Sequence, residues 1–89
     1  MNRVEIYTKS WCPYCARAKA DLQRRGVAYE EIDVTDDEVR EAEMVKRAGR
    51  TSVPQIFIGG RHLGGSDDLQ AADRSGELDH QLSQQGETA

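Results

Sequence analysis

The sequence predicts an α/β fold, a four-stranded mixed sheet flanked by helices on both faces. Three observations predict it. A strand-like alternation, a helical run and a second strand-like run open the chain, which implies a parallel strand pair with a right-handed crossover. Gly59-Gly60 between two apolar runs marks a hairpin that adds antiparallel strands. Gly64-Gly65-Ser66 then opens a further helix. The element order reads β-α-β-α-β-β-α, with a last short helix after it.

Each element has its own signal. Val4, Ile6 and Thr8 alternate with Glu5 and Tyr7, the period-2 pattern of a strand. Lys9-Ser10-Trp11 reads as a loop. The first helix begins at Cys12, with Pro13 at its first position, where a missing N–H costs nothing. Ala16, Ala18, Ala20 and Leu22 favour helix, and Gly26 closes it. Tyr29, Ile32 and Val34 suggest the second strand. Thr35-Asp36-Asp37 caps a second helix that carries Val39, Ala42, Met44 and Val45 and ends at Gly49. Val53 to Ile58 reads as a buried strand, and Arg61-His62-Leu63 as its short partner. In the third helix Ser66 is the expected N-cap, Asp67 and Asp68 occupy the first turn, and Gly76 is the end. Leu78 and Leu82 mark the last helix. One domain over residues 1–84 and a disordered tail over 85–89 are expected.

Composition sets limits on function. The chain has 89 residues, 37% hydrophobic and 31% charged, with a formal net charge of -4. That balance suits a soluble globular domain and is too apolar for general disorder. No basic stripe exists to displace phosphate counterions, so no nucleic-acid partner is expected. Arg24-Arg25 and Lys46-Arg47 sit at helix ends, where cations complement the dipole. No apolar run approaches the ~20 residues of a membrane span, and the first residues lack the apolar stretch of a signal peptide. A cytoplasmic monomer is therefore expected. In a reducing cytosol, two closely spaced cysteines suggest redox catalysis or metal binding rather than a structural bridge.

Those cysteines are Cys12 and Cys15, in Cys12-Pro13-Tyr14-Cys15. At i and i+3 on a helix they share a face, so their sulfurs approach bonding distance with little backbone movement. The loop they close is tiny, and a bridge there adds little stability. Cys12 faces the unpaired N–H groups and the positive dipole end of the helix, which favour a thiolate. Lys9 adds a nearby positive charge. Cys12 is then the nucleophile. Cys15, one turn in, is more buried and stays protonated until it attacks a mixed disulfide on Cys12. Tyr14 projects outward beside the sulfur. A zinc site needs about four ligands, and beyond the cysteines only His62 and His80 are candidates, with no second C-x-x-C or H-x-x-H pair.

Two further features have alternative readings. Pro54 in Ser52-Val53-Pro54 is either an edge-strand proline or a cis proline that turns the Val53 N–H and C=O outward to a strand-like peptide. Gly64-Gly65-Ser66-Asp67-Asp68 is either plain helix capping or a site where backbone N–H groups take a carboxylate and the acids take an ammonium.

In this order the three features resemble the glutaredoxin family, dithiol class. Cys12-Pro13-Tyr14-Cys15 is that family's motif. The likeness extends through Ile6-Tyr7-Thr8-Lys9, Ser52 to Gly59, and Gly64 to Leu69, and the Lys46-Arg47-Ala48-Gly49-Arg50 run looks like its short bacterial members. The resemblance implies a thioredoxin fold. It also implies reduction of glutathione mixed disulfides and protein disulfides, with glutathione as co-substrate and no permanently bound cofactor. It makes Pro54 cis, sets the cysteinyl part of glutathione against Ser52-Val53-Pro54, and puts its γ-glutamyl end at Gly65, Ser66 and Asp67. Lys9 and Tyr14 flank the sulfur and the glycine end. The partners implied are glutathione and glutathionylated or disulfide-bonded proteins. Three positions depart from the pattern. Ser52 replaces the usual Thr. Glu41, beside Arg40, stands where Arg, Lys or Gln often faces the glycyl carboxylate. Trp11 is more like thioredoxin. Iron–sulfur carriers of the family use Cys-Gly-Phe-Ser instead, a looser loop than Pro13 and Tyr14 allow.

Overall fold

The computed structural model describes residues 2–83; the tail expected over 85–89 lies outside them. Eight elements follow in order: β1 (Val4–Thr8), α1 (Pro13–Arg24), β2 (Glu30–Asp33), α2 (Glu38–Ala48), β3 (Gln55–Ile58), β4 (Arg61–Gly64), α3 (Ser66–Ser75) and α4 (Glu77–Ser83). The strands form one mixed sheet in the order β2-β1-β3-β4. β1 runs parallel to β2, with Tyr7 opposite Ile32, and antiparallel to β3, with Ile6 opposite Ile56. β3 and β4 are antiparallel, with a bulge at Ile56/Phe57. The hairpin between them turns on Gly59 and Gly60, both at positive φ, as a two-residue turn matched to strand twist requires.

β1 and β3 are the inner strands, and the alternation of their side chains builds two cores. Val4, Ile6, Ile56 and Ile58 point to one face, where Ala18 and Leu22 of α1, Leu69 and Ala72 of α3, and Leu78 and Leu82 of α4 cover them. Tyr7, Ile32 and Phe57 point to the other, where Met44 of α2 meets them. Leu22 is fully buried. Truncating it to Ala removes ~2–5 kcal/mol and would loosen α1 from the sheet.

α2 is the thinner cover. Met44 is its one fully buried side chain, and Val39 is 79% exposed. The expected helix is present, but its apolar face is narrower than the sequence pattern suggests. Arg47 completes the layer. Its guanidinium lies 4.0 Å over the Phe57 ring, donates to the Tyr7 hydroxyl at 2.8 Å and pairs with Glu5 at 3.0 Å. A flat cation on an aromatic face supplies packing as well as charge.

Boundaries shift where local hydrogen bonds compete with the apolar pattern. Asp37, rather than the whole Thr35-Asp36-Asp37 run, caps α2 by accepting from the Arg40 N–H. The Thr35 hydroxyl instead donates to Asp33 and accepts from the Ser10 N–H at 2.9 Å. That contact ties down the loop leading to Cys12. β3 starts at Gln55, after the Val53-Pro54 segment.

Candidate active site

The site is assembled at one end of the sheet, from the loop after β1, the segment before β3 and the start of α3. Cys12 is the N-cap of α1 and Pro13 is its first residue. The Cys15 N–H donates to Cys12 Sγ at 3.2 Å, and Cys12 Sγ lies 3.7 Å from the Val53 carbonyl. The first of these contacts strengthens when the sulfur carries charge. Both cysteines are free thiols, 7% and 1% exposed. Burial, and a hydrogen bond to Cys12, push the Cys15 thiol up to about 12. Such a group holds its proton at neutral pH.

The Val53-Pro54 peptide is cis, so Pro54 is not a plain edge-strand proline. Behind it, the Gln55 side-chain amide donates to the Ser52 carbonyl at 3.0 Å, and Gln55 Oε1 meets His62 Nε2 at 2.7 Å. Gln55 is fully buried, so this pair of contacts fixes the loop from inside. His62 serves there, and among the described residues no group of three or more His, Cys, Asp or Glu is placed to hold a metal ion.

The start of α3 corrects one expectation. Gly65 is the N-cap and Ser66 the first helical residue. The reason is Asp68. Its carboxylate reaches back to the Gly65 N–H at 2.9 Å and so does the capping from the third position. That hydrogen bond, with Arg50 at 3.4 Å, holds the Asp68 carboxyl below its usual range. The Ser66 hydroxyl is released from capping. It is buried without a hydrogen-bond partner, a costly state that a ligand group would relieve. Gly64, at φ +129, has no room for a side chain, since a Cβ would lie 2.2 Å from Asp68 Oδ2.

A cleft of about 330 Å³ lies between these parts. Of the expected site residues, Tyr14, Ser52, Val53, Pro54, Gly65, Ser66 and Asp67 line it. Cys12 adjoins it through Val53, and Cys15 lies behind Cys12. Lys9 does not line it. Its ammonium is 3.0 Å from Glu41 and 5.7 Å from the centre of the Trp11 ring. Asp68, read in the sequence as either a capping acid or an ammonium acceptor, lines the cleft too, as do Arg50 and Gln55, which were not among the expected site residues. Arg50 follows the helix-ending Gly49, and its side chain swings back across the cleft to Asp68. Sequence proximity gives no hint of that.

A helix that starts on a C-x-x-C pair, beside a cis-proline segment at the end of a four-stranded mixed sheet, defines a thiol–disulfide oxidoreductase of the thioredoxin fold. Comparisons with known proteins narrow the class. The family model "Glutaredoxin" matches residues 4–63. The chain is 54% identical to glutaredoxin 3 of Escherichia coli K12 over 79 residues, 89% of this chain and 95% of that protein. It is 53% identical to glutaredoxin of Pseudomonas aeruginosa PAO1, covering 93% of this chain and 99% of that one. Among solved structures, glutaredoxin from Brucella melitensis superposes with a TM-score of 0.82 at 52% identity, covering 92% of this chain and 89% of that one. A buckwheat glutaredoxin–glutathione complex gives 0.86 at 31% identity, covering 96% and 80%. The chain belongs to the glutaredoxin family, whose members are glutathione-dependent thiol–disulfide oxidoreductases.

Proposed function

We propose that the Cys12 sulfur reduces glutathione mixed disulfides and protein disulfides, with glutathione seated in the cleft. The observation that carries this reading is the placement of Cys12 Sγ between the Cys15 N–H and the carbonyl of Val53, a residue that lines that cleft. The cysteinyl backbone of glutathione pairs with Val53 in strand fashion, beside Ser52 and Pro54. Its γ-glutamyl carboxylate takes the N–H groups and the partnerless hydroxyl at Gly65 and Ser66, and its ammonium takes Asp67. Tyr14 lies over the sulfur, and Lys9 stands on the glycine side, shared with Glu41.

The chemistry needs no resident cofactor. With a glutathionylated protein, Cys12 thiolate attacks the glutathione sulfur. A Cys12–glutathione disulfide forms, the protein thiolate leaves and takes up a proton, and a second glutathione thiolate then attacks. Oxidised glutathione is released and Cys12 is free again. With a protein disulfide, Cys12 thiolate attacks one protein sulfur, the protein S–S bond breaks, and the other protein sulfur leaves as a thiolate and takes up a proton. Cys15 gives up its proton and displaces the sulfur bonded to Cys12, and two glutathiones reduce the resulting Cys12–Cys15 bridge. The domain at residues 1–84 acts as a cytoplasmic monomer, with disulfide-bonded proteins as partners. No helix of the described residues is long and apolar enough to cross a membrane. The test is glutathione-dependent reduction of a mixed-disulfide substrate by wild type and by each Cys→Ser variant. A Cys12→Ser protein with full activity would refute the reading.

A further inference from the structure

We propose that the groove between α1 and α3 docks an acidic segment of the protein substrate beside Cys12. This rests on the redox reading above and names the class of protein disulfide that the enzyme reduces best. The groove measures about 440 Å³ and is lined by Arg17, Asp21 and Arg24 of α1 and by Gln70, Asp73 and Arg74 of α3. Its two carboxylates are occupied, Asp21 by Arg24 and Asp73 by Arg25. Arg17 and Arg74 are exposed. Among the described residues, neither has an acidic or hydrogen-bonding partner. On a chain of net charge -4, two unpaired guanidiniums in one concave surface are a local reversal of sign.

The groove continues the glutathione cleft. Tyr14 lines the cleft and Arg17 lies three residues on, over the same face of α1. Asp67 lines the cleft, and Gln70 and Arg74 follow three and seven residues on along α3. Helical rise puts Arg17 about 7.5 Å and Arg24 about 18 Å beyond Cys12 along the axis. An extended chain advances about 3.3 Å per residue. A substrate held by its cysteine at Cys12 therefore lays residues roughly two to five positions away over the groove. Guanidinium forks take carboxylates in preference to other side chains, so Asp or Glu at those positions fits.

The test uses one peptide closed by an intramolecular disulfide, made in three forms and reduced with glutathione as the electron source. Positions two to five on both flanks carry Asp and Glu, or Gln, or Lys. The mixed disulfide of glutathione and 2-mercaptoethanol is the small substrate without flanks. For wild type, kcat/KM is expected to rank acidic over neutral over basic, with acidic above basic by about tenfold at low salt. In about 0.5 M salt, where screening acts over a few Å, the ratio is expected to fall to about two. The R17Q/R74Q double variant is expected to lose the ranking at low salt while it keeps the small-substrate rate. Equal rates on the three peptides with wild type, or a ranking undiminished in the double variant, overturns the groove. No reduction of the small mixed disulfide by wild type overturns the redox reading and the groove with it.

Discussion

The Lys9 ammonium and the Glu41 carboxylate lie 3.0 Å apart, joining the loop before Cys12 to the first turns of α2. The cation nearest the reactive cysteine in sequence is thus partly spent on a neighbour. A ligand carboxylate on that side must compete with Glu41 for it. Glu41→Gln is expected to lower KM for glutathione about two- to fivefold with kcat little changed, matching the ~0.5–1 kcal/mol of a partly exposed pair. Steady-state kinetics over glutathione concentration checks this, and a raised KM would sink the idea.

The two cysteines should be unequal. Cys15→Ser is expected to keep deglutathionylation and to lose protein-disulfide reduction, and Cys12→Ser to lose both by at least about a hundredfold, the scale of removing an attacking group. Parallel assays on a glutathionylated peptide and on a protein disulfide separate the two routes. Equal loss on both substrates for Cys15→Ser would contradict the single-thiol route.

Alkylation should report the same asymmetry directly. Cys15, pushed up to about 12 by burial and by Cys12, keeps its thiol through the neutral and mildly alkaline range. Iodoacetamide followed by mass spectrometry is expected to find one modified cysteine, Cys12, at pH 7–9. The sign for stability follows from linkage. The folded state holds the Cys15 proton above the ordinary value of 9.0, where the unfolded chain releases it. Stability is present below about pH 9 and falls as pH rises from there toward 12. Denaturant melts of Cys15→Ser should show a shallower alkaline fall than wild type.

Ser66→Ala tests the buried hydroxyl. It has no partner within the protein, so its removal is expected to leave the thermal midpoint unchanged or slightly raised. The same change is expected to raise KM for glutathione several-fold, if the hydroxyl bonds the γ-glutamyl carboxylate at ~1–1.5 kcal/mol. A lower midpoint with unchanged KM would assign Ser66 to structure instead.

Asp68→Asn addresses the cap. The Gly65 N–H and Arg50 both lose a charged acceptor, and a weakened cap costs ~0.5–1 kcal/mol. Because the folded state holds the Asp68 carboxyl below its ordinary value of 3.8, its contribution is present above that pH. It is lost as pH falls below it. Urea melts at pH 7 and near pH 3 are expected to show a deficit for the variant at the first and little at the second.

The sequence carried most of the frame, and its weak points have physical causes. The order of elements, the hairpin at Gly59-Gly60 and the C-x-x-C helix start were readable because glycine, proline and cysteine mark backbone positions by chemistry that tertiary contacts rarely override. The cap of α3 was misplaced because Ser66 and Asp68 both have capping chemistry, and the winner depends on a carboxylate reaching back one turn. Val39, one of the apolar positions of α2, is exposed because Met44, with partly buried Val45 and Ala48 and with Arg47 on Phe57, seals that face. Arg50 and the Gln55–His62 pair were invisible in the linear pattern. Their roles come from contacts between separate elements.

Gly64 bears on how such an enzyme changes over generations. Its φ of +129 and the 2.2 Å separation between a notional Cβ and Asp68 Oδ2 close that position to every other residue unless the cap moves as well. The turn that leads into α3, next to the cleft, is therefore a poor place for variation. Exposed Arg17 and Arg74 in the neighbouring groove can be exchanged without disturbing what lies beneath. Divergence among descendants of this chain is expected to retune that groove while the turn stays frozen, so preference for one client protein over another can drift while the reductant stays the same.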